Sequence, residues 1–216
     1  MLEDVEVMDA TAKPAGDSMR SDARRNYDQL IAAARAIFTE QGTDASLREV
    51  ARHAGVGIGT LYRHFPTREA LLEALLGQGF EALRAEAAEL LDAPDPGNAL
   101  ATWLRRLGIA STRYEGLPAS VMEALHDPGS RLHASCEGLR TAATDLLARA
   151  QRAGQVRRDL NAGELLAIAN AMAWAARQAF GSADLTDRYL TLMMEGLLAR
   201  DGAATAASGT RGHFRG

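Results

Sequence analysis

Eight arginines and six carboxylates fall between positions 20 and 70, so this stretch is net positive inside a chain of formal net charge −4. A basic head on an acidic body suits a molecule that meets a polyanion at one end only. A second group of chemically capable residues lies further on. His133 and Cys136 are three apart on one helix face, with His126 and Asp127 just upstream. Such donors can hold zinc or copper, but with no second cysteine and no closed four-ligand spacing the set is short of a site. No glycine-rich phosphate loop, Gly-x-Ser-x-Gly or His-Glu-x-x-His is present, and the remaining carboxylates scatter over solvated helix faces. The pattern points away from an enzyme, and no cofactor or metal is expected.

The basic head holds the most organised stretch, Ser46-Leu-Arg-Glu-Val-Ala-Arg-His-Ala-Gly-Val-Gly-Ile-Gly-Thr-Leu-Tyr-Arg-His-Phe65. It reads as two short helices joined by a tight turn at Gly55, where a Cβ would hinder the backbone. Val50, Ala51 and Ala54 face inward from the first helix, and Val56 and Leu61 face back from the second. Ala51 is small because the helices cross closely there. Ser46 with Glu49 three residues later has the form of a capping box.

The elements around this motif are helical throughout. Apolar spacing over 24–41 (Tyr27, Leu30, Ile31, Ala34, Ile37, Phe38) gives one buried stripe, ended by Gly42. Thr67 can cap a long helix over 67–91. Further helices are expected near 98–115, 117–127, 130–154, 161–180 and 184–200, with Asn161 and Glu164 as another capping-box start. The total is about nine helices in an all-α fold. No stretch alternates like a strand, and β-branched residues are sparse. Residues 1–20 and 201–216 read as loose tails, 21–66 as the helix-turn-helix domain, and 67–200 as a second helical domain entered through the connecting helix 67–91. Hydrophobic residues make up 47% of the 216, enough for a core. A single cysteine fits a reducing compartment, and the acidic N-terminus lacks the basic start of a signal peptide. With no apolar run of membrane-spanning length, a cytoplasmic location without membrane contact is the expectation.

Ala54-Gly-Val-Gly-Ile-Gly-Thr-Leu-Tyr-Arg-His-Phe65, followed by Thr67-Arg-Glu-Ala-Leu71, resembles the DNA-binding domain of the TetR family of bacterial regulators. The resemblance covers about 21–200, and its motif-specific part 24–72. It implies a sequence-specific regulator, a homodimeric repressor released from a double-stranded DNA operator by a small-molecule inducer. The alternative is a small-molecule-binding helical protein without a DNA role. By position, the resemblance assigns Thr60, Tyr62 and His64 to phosphate and base contacts of a recognition helix, and Arg68 to a phosphate in place of the family's usual lysine. Ser46 sits at a helix N-terminus able to bind phosphate. Arg48 is a candidate reader of guanine. Gly57 and Gly59 each cost a helix about 1 kcal/mol relative to alanine, which suggests close backbone approach to DNA. Ile58 can touch a thymine methyl.

The second domain holds both tryptophans, Trp103 and Trp174, and Tyr114 in a chain with only 5% aromatics, which suggests a pocket. Phe80, Trp103, Leu107, Val121, Leu125, His126, Asn170 and Trp174 are the candidate inducer contacts, a mainly apolar set with a few polar groups. Ala167, Ala171, Ala175 and Ala179 recur every four residues as a smooth face for a second subunit. Leu185, Leu192, Met193 and Leu197 supply bulk beside it.

Overall fold

The computed structural model describes residues 15–114, 116–178 and 183–197, and these form helices and their connections with no β-strand among them. Nine helices follow in order: α1 (Ala15–Gln41), α2 (Leu47–His53), α3 (Ile58–His64), α4 (Arg68–Leu90), α5 (Pro96–Ser111), α6 (Ala119–His126), α7 (Arg131–Arg152), α8 (Ala162–Gln178) and α9 (Ala183–Leu197). No described helix is long and apolar enough to cross a membrane. The expected tail 201–216 and Ala179 lie outside the described residues.

The chain divides into two compact units. Unit 1 comprises Met1–Leu75 and Glu115–Val121, and unit 2 comprises Leu76–Tyr114 and Met122–Gly216. In unit 1, α1 contributes Leu30, Ile31, Ala34, Ile37 and Phe38 to a core closed by Leu47, Val50 and Ala51 of α2, Leu61 of α3, Phe65, and Leu71, Leu72 and Leu75 of α4. The three-and-four spacing of α1 produces this single buried stripe. Ala54 and Val56 stand half-buried at its edge. Gly42 and Gly55 have φ of 82° and 70°, the left-handed values that let each helix stop within one residue.

Three starts differ from expectation. α1 begins at Ala15, inside the stretch read as a loose tail. Residues 20–25 are all exposed, so these turns carry no apolar stripe for a pattern reading to follow. α5 begins at Pro96 within the expected break, because Asp95 Oδ1 accepts the Asn98 N–H at 3.1 Å and proline suits the first helical position. Ser46 makes no side-chain cap, and Glu49 turns instead toward Gln41 (3.4 Å) and Arg52 (3.5 Å). The other caps form as expected. The Ala70 N–H donates to Thr67 Oγ1 at 3.1 Å, and Asn161 and Glu164 cap each other reciprocally at 3.0 Å.

Unit 2 has α5 at its centre, packed against α7, α8 and α9, with α8 also against α9. Its core runs through Leu83, Leu100, Trp103, Leu104, Leu107, Leu146, Leu165, Ala169 and Leu190. Trp103 is fully buried and its indole N–H donates to the Leu83 carbonyl at 2.8 Å, which satisfies the one polar atom the ring carries.

Candidate nucleic-acid interface

α3 packs into unit 1 through Leu61, fully buried, and Phe65 follows it into the core. The 3.6-residue period then turns Gly59, Tyr62 and Arg63 outward, and all three are exposed. Tyr62 is 49% exposed, so its ring is not a core group. Ile58, Thr60 and His64 flank this face half-buried. The His64 ring lies edge-on to Tyr27 of α1, with centroids 6.1 Å apart, and 6.2 Å from the Phe65 ring. Arg48 on α2 is exposed, as is Ser46 just before it, whose hydroxyl is not used as a cap.

The two glycines differ. Gly57 is the N-cap of α3 with extended backbone (φ −71°, ψ 148°), a position where glycine costs little. Gly59 is the second residue of α3, in its first turn, and costs the helix up to about 1 kcal/mol. A Cβ built on either would meet nothing within 4 Å, so no packing inside the chain requires glycine there.

Arg68, assigned to a phosphate by resemblance, is also engaged within unit 1. Its Nη1 donates to the carbonyls of Thr43 and Ala45, each at 2.6 Å, and its guanidinium lies 5.9 Å from the Phe38 ring centroid. The side chain fastens the first turn of α4 to the α1–α2 loop. The same loop holds Thr43, 1% exposed, whose hydroxyl donates to the Gly116 carbonyl at 2.6 Å. Gly116 has φ of 71°, and a Cβ on it would meet Thr43 Oγ1 at 3.3 Å. Neither the Arg68 nor the Thr43 contact was visible in the sequence, since each joins a side chain to a carbonyl more than 20 residues away. Thr43 is the only buried polar residue among those described, and a threonine between two turn residues gives no such signal.

The residues proposed from sequence to meet a small molecule have different settings within their own units. Trp103 and Leu107 are core residues of unit 2, with Phe80 half-buried against that core. Leu125 is half-buried, and Val121 is buried in unit 1. His126 is exposed, its Nδ1 2.7 Å from the Met122 carbonyl. Asn170 and Trp174 are exposed on the outward face of α8, Trp174 by 63%. Ala167 and Ala171 share that face, whereas Leu197 of α9 packs into the core of its own unit. His133 Nδ1 sits 2.9 Å from the Leu125 carbonyl. Burial pushes the Cys136 thiol up from its ordinary value, against the pull of Arg140. No cluster of metal-binding side chains occurs among the described residues.

Residues 30–75 match the family model for bacterial regulatory proteins of the tetR family, and residues 95–199 match that of the SbtR-like transcriptional regulator C-terminal domain. The TetR transcriptional regulator SCO0520 from Streptomyces coelicolor is 35% identical, with 80% of this chain and 98% of that one aligned and a TM-score of 0.63. A TetR transcription regulatory protein from Mycobacterium vanbaalenii is 30% identical over 83% of this chain and 99% of its own, with a TM-score of 0.56. The HTH-type transcriptional regulator UidR of Escherichia coli K12 is 34% identical over 77 residues, so the chain spans only about two fifths (39%) of the length of that curated relative. The match over nearly the whole of two solved regulators, together with family models for both halves, shows that this chain belongs to the TetR family of bacterial transcriptional regulators.

Proposed function

We propose that the protein is a homodimeric repressor that binds an operator through α3 in the major groove and leaves it when a small organic molecule binds unit 2. The observation that carries the DNA part is the outward face of α3. It combines an exposed tyrosine, an exposed arginine and a first-turn glycine that nothing inside the chain requires. Close approach of a phosphate backbone or base edge explains all three. Thr60, Tyr62 and His64 then meet phosphate and bases, Ile58 a thymine methyl, Arg48 a guanine, and Ser46 with its backbone a phosphate. Arg68 is left out of this set because its Nη1 is spent on two carbonyls.

Two heads are needed because half-sites repeat about 34 Å apart and one short helix supplies too little affinity. The exposed apolar side of α8 and α9, with Ala167, Ala171, Trp174 and Leu192, supports a self-complementary interface. Trp174 is better explained there than in an inducer site. The inducer contacts then reduce to Phe80, Trp103, Leu107 and Leu125. A 100-fold release from DNA requires the inducer to prefer the released form by about 2.7 kcal/mol. The test is a mobility shift with DNA flanking the protein's own gene. A retarded band lost in Tyr62→Ala supports the reading, and no band at micromolar protein in low salt refutes it.

A further inference from the structure

α1 extends well past the core it serves. Positions 20, 24, 27 and 31 are four, three and four apart, which puts them on one helix face. At Ile31 that face is in the core of unit 1, 2% exposed. At Tyr27 it meets the end of the α3 segment, with ring centroids 5.1 Å from Phe65 and 6.1 Å from His64. At Arg24 and Arg20 it is exposed. At 1.5 Å per residue these arginines stand about 4.5 and 10.5 Å beyond Tyr27 along the axis. They continue, past the last ring contact, the side of α1 that holds His64.

The charges on these turns are arranged accordingly. Asp22 lies on the opposite side of α1 and is taken by Arg25 at 2.6 Å. Asp28 is exposed beside the stripe. Neither Arg20 nor Arg24 pairs with a described carboxylate. Two exposed guanidinium groups therefore continue the surface assigned above to DNA.

We propose that the N-terminal turns of α1 are a second DNA contact, independent of base sequence, in which Arg20 and Arg24 each neutralise a phosphate flanking the groove entered by α3. The inference rests on the DNA reading above. It adds to that reading a pair of residues that contribute affinity and salt dependence but no discrimination.

The experiment uses the full chain and two duplexes, one from the region flanking its own gene and one of mixed sequence, titrated across a potassium chloride series. Each phosphate contact steepens the slope of log K against log salt by about 0.9, and is worth about eightfold in affinity at 0.1 M salt. Arg20→Ala/Arg24→Ala is expected to flatten the slope by about 1.8 on both duplexes and to weaken both about 60-fold at 0.1 M. Arg20→Lys/Arg24→Lys is expected to keep the wild-type slope. Alanine is the better helix former, so circular dichroism should be unchanged and loss of α1 is not the explanation. An unchanged slope in the alanine variant overturns the proposal while leaving the α3 reading intact. A loss on the operator duplex alone overturns it too, because that is base readout. If the wild-type protein binds neither duplex, the DNA reading and this inference fall together.

Discussion

Arg68 separates two accounts of the same residue. If it fastens α4 to the α1–α2 loop, its removal loosens the head. If it holds a phosphate, its removal changes only binding. Arg68→Met keeps most of the aliphatic stem beside Phe38 and removes the two 2.6 Å bonds to the Thr43 and Ala45 carbonyls. Hydrogen bonds from a charged donor are worth about 1.5–3 kcal/mol each. Here one Nη1 serves both acceptors and the side chain is only half-buried, so the lower limit applies and the pair is worth about 2–3 kcal/mol. With a urea slope of about 2 kcal/mol per molar, the unfolding midpoint should fall by about 1–1.5 M. The assay is urea unfolding followed by helical signal, alongside DNA binding across a salt series. The fastening role predicts lower stability with an unchanged salt slope. A phosphate role predicts unchanged stability and a slope flatter by about 0.9. A midpoint within about 0.3 M of wild type would refute the fastening role.

Gly59→Ala should stabilise α3 by up to about 1 kcal/mol, since a Cβ meets nothing in the chain, while operator affinity falls at least tenfold. Unfolding and mobility shift measured on one preparation check both signs, and undiminished affinity would mean that no DNA backbone comes close there. Thr43→Val keeps the shape of a buried side chain and strands the Gly116 carbonyl, at a cost of about 1 kcal/mol because that carbonyl belongs to an exposed residue and water can reach it. Hydrogen exchange of residues 116–121 should quicken, and unchanged exchange would mean the bond is dispensable. Ala171→Glu introduces a charge into the middle of the outward α8 face and should give a folded monomer by light scattering that no longer holds the operator. A dimer of normal affinity would move the interface elsewhere.

Much of unit 1 was legible because its signals are local. Glycines at 42 and 55 needed positive φ, Thr67 needed to cap, and α1 needed a stripe at three-and-four spacing, so α2, α3 and α4 fall within one or two residues of expectation. The start of α1 was missed because periodicity reports burial, and residues 20–25 bury nothing. Asp95-Pro96 read as a break although the same pair is a good N-cap and first residue; the sequence supports both, and packing of α5 on three helices selects one. The exposure of Trp174 was not legible, because an aromatic side chain shows that it is apolar without showing what covers it. The contacts of Arg68 were out of reach for a further reason, since backbone carbonyls left over in a loop have no sequence signature.

The connecting helix α4 is not the only stretch of chain that joins the two units. α4 passes from unit 1 to unit 2 after Leu75, but Glu115–Val121 belongs to unit 1 again, between two segments of unit 2. That return is fixed by specific groups. Thr43 donates to the Gly116 carbonyl, Gly116 holds a left-handed φ that most residues would strain, and Val121 is fully buried. The α1–α2 loop that receives it is the one Arg68 holds from α4, and α2 begins where that loop ends. Two covalent routes thus converge on five residues immediately before the helix-turn-helix. On the proposed reading, an inducer that acted on either route would meet this loop, and a coupling free energy of a few kcal/mol is the same scale as the hydrogen bonds that hold it.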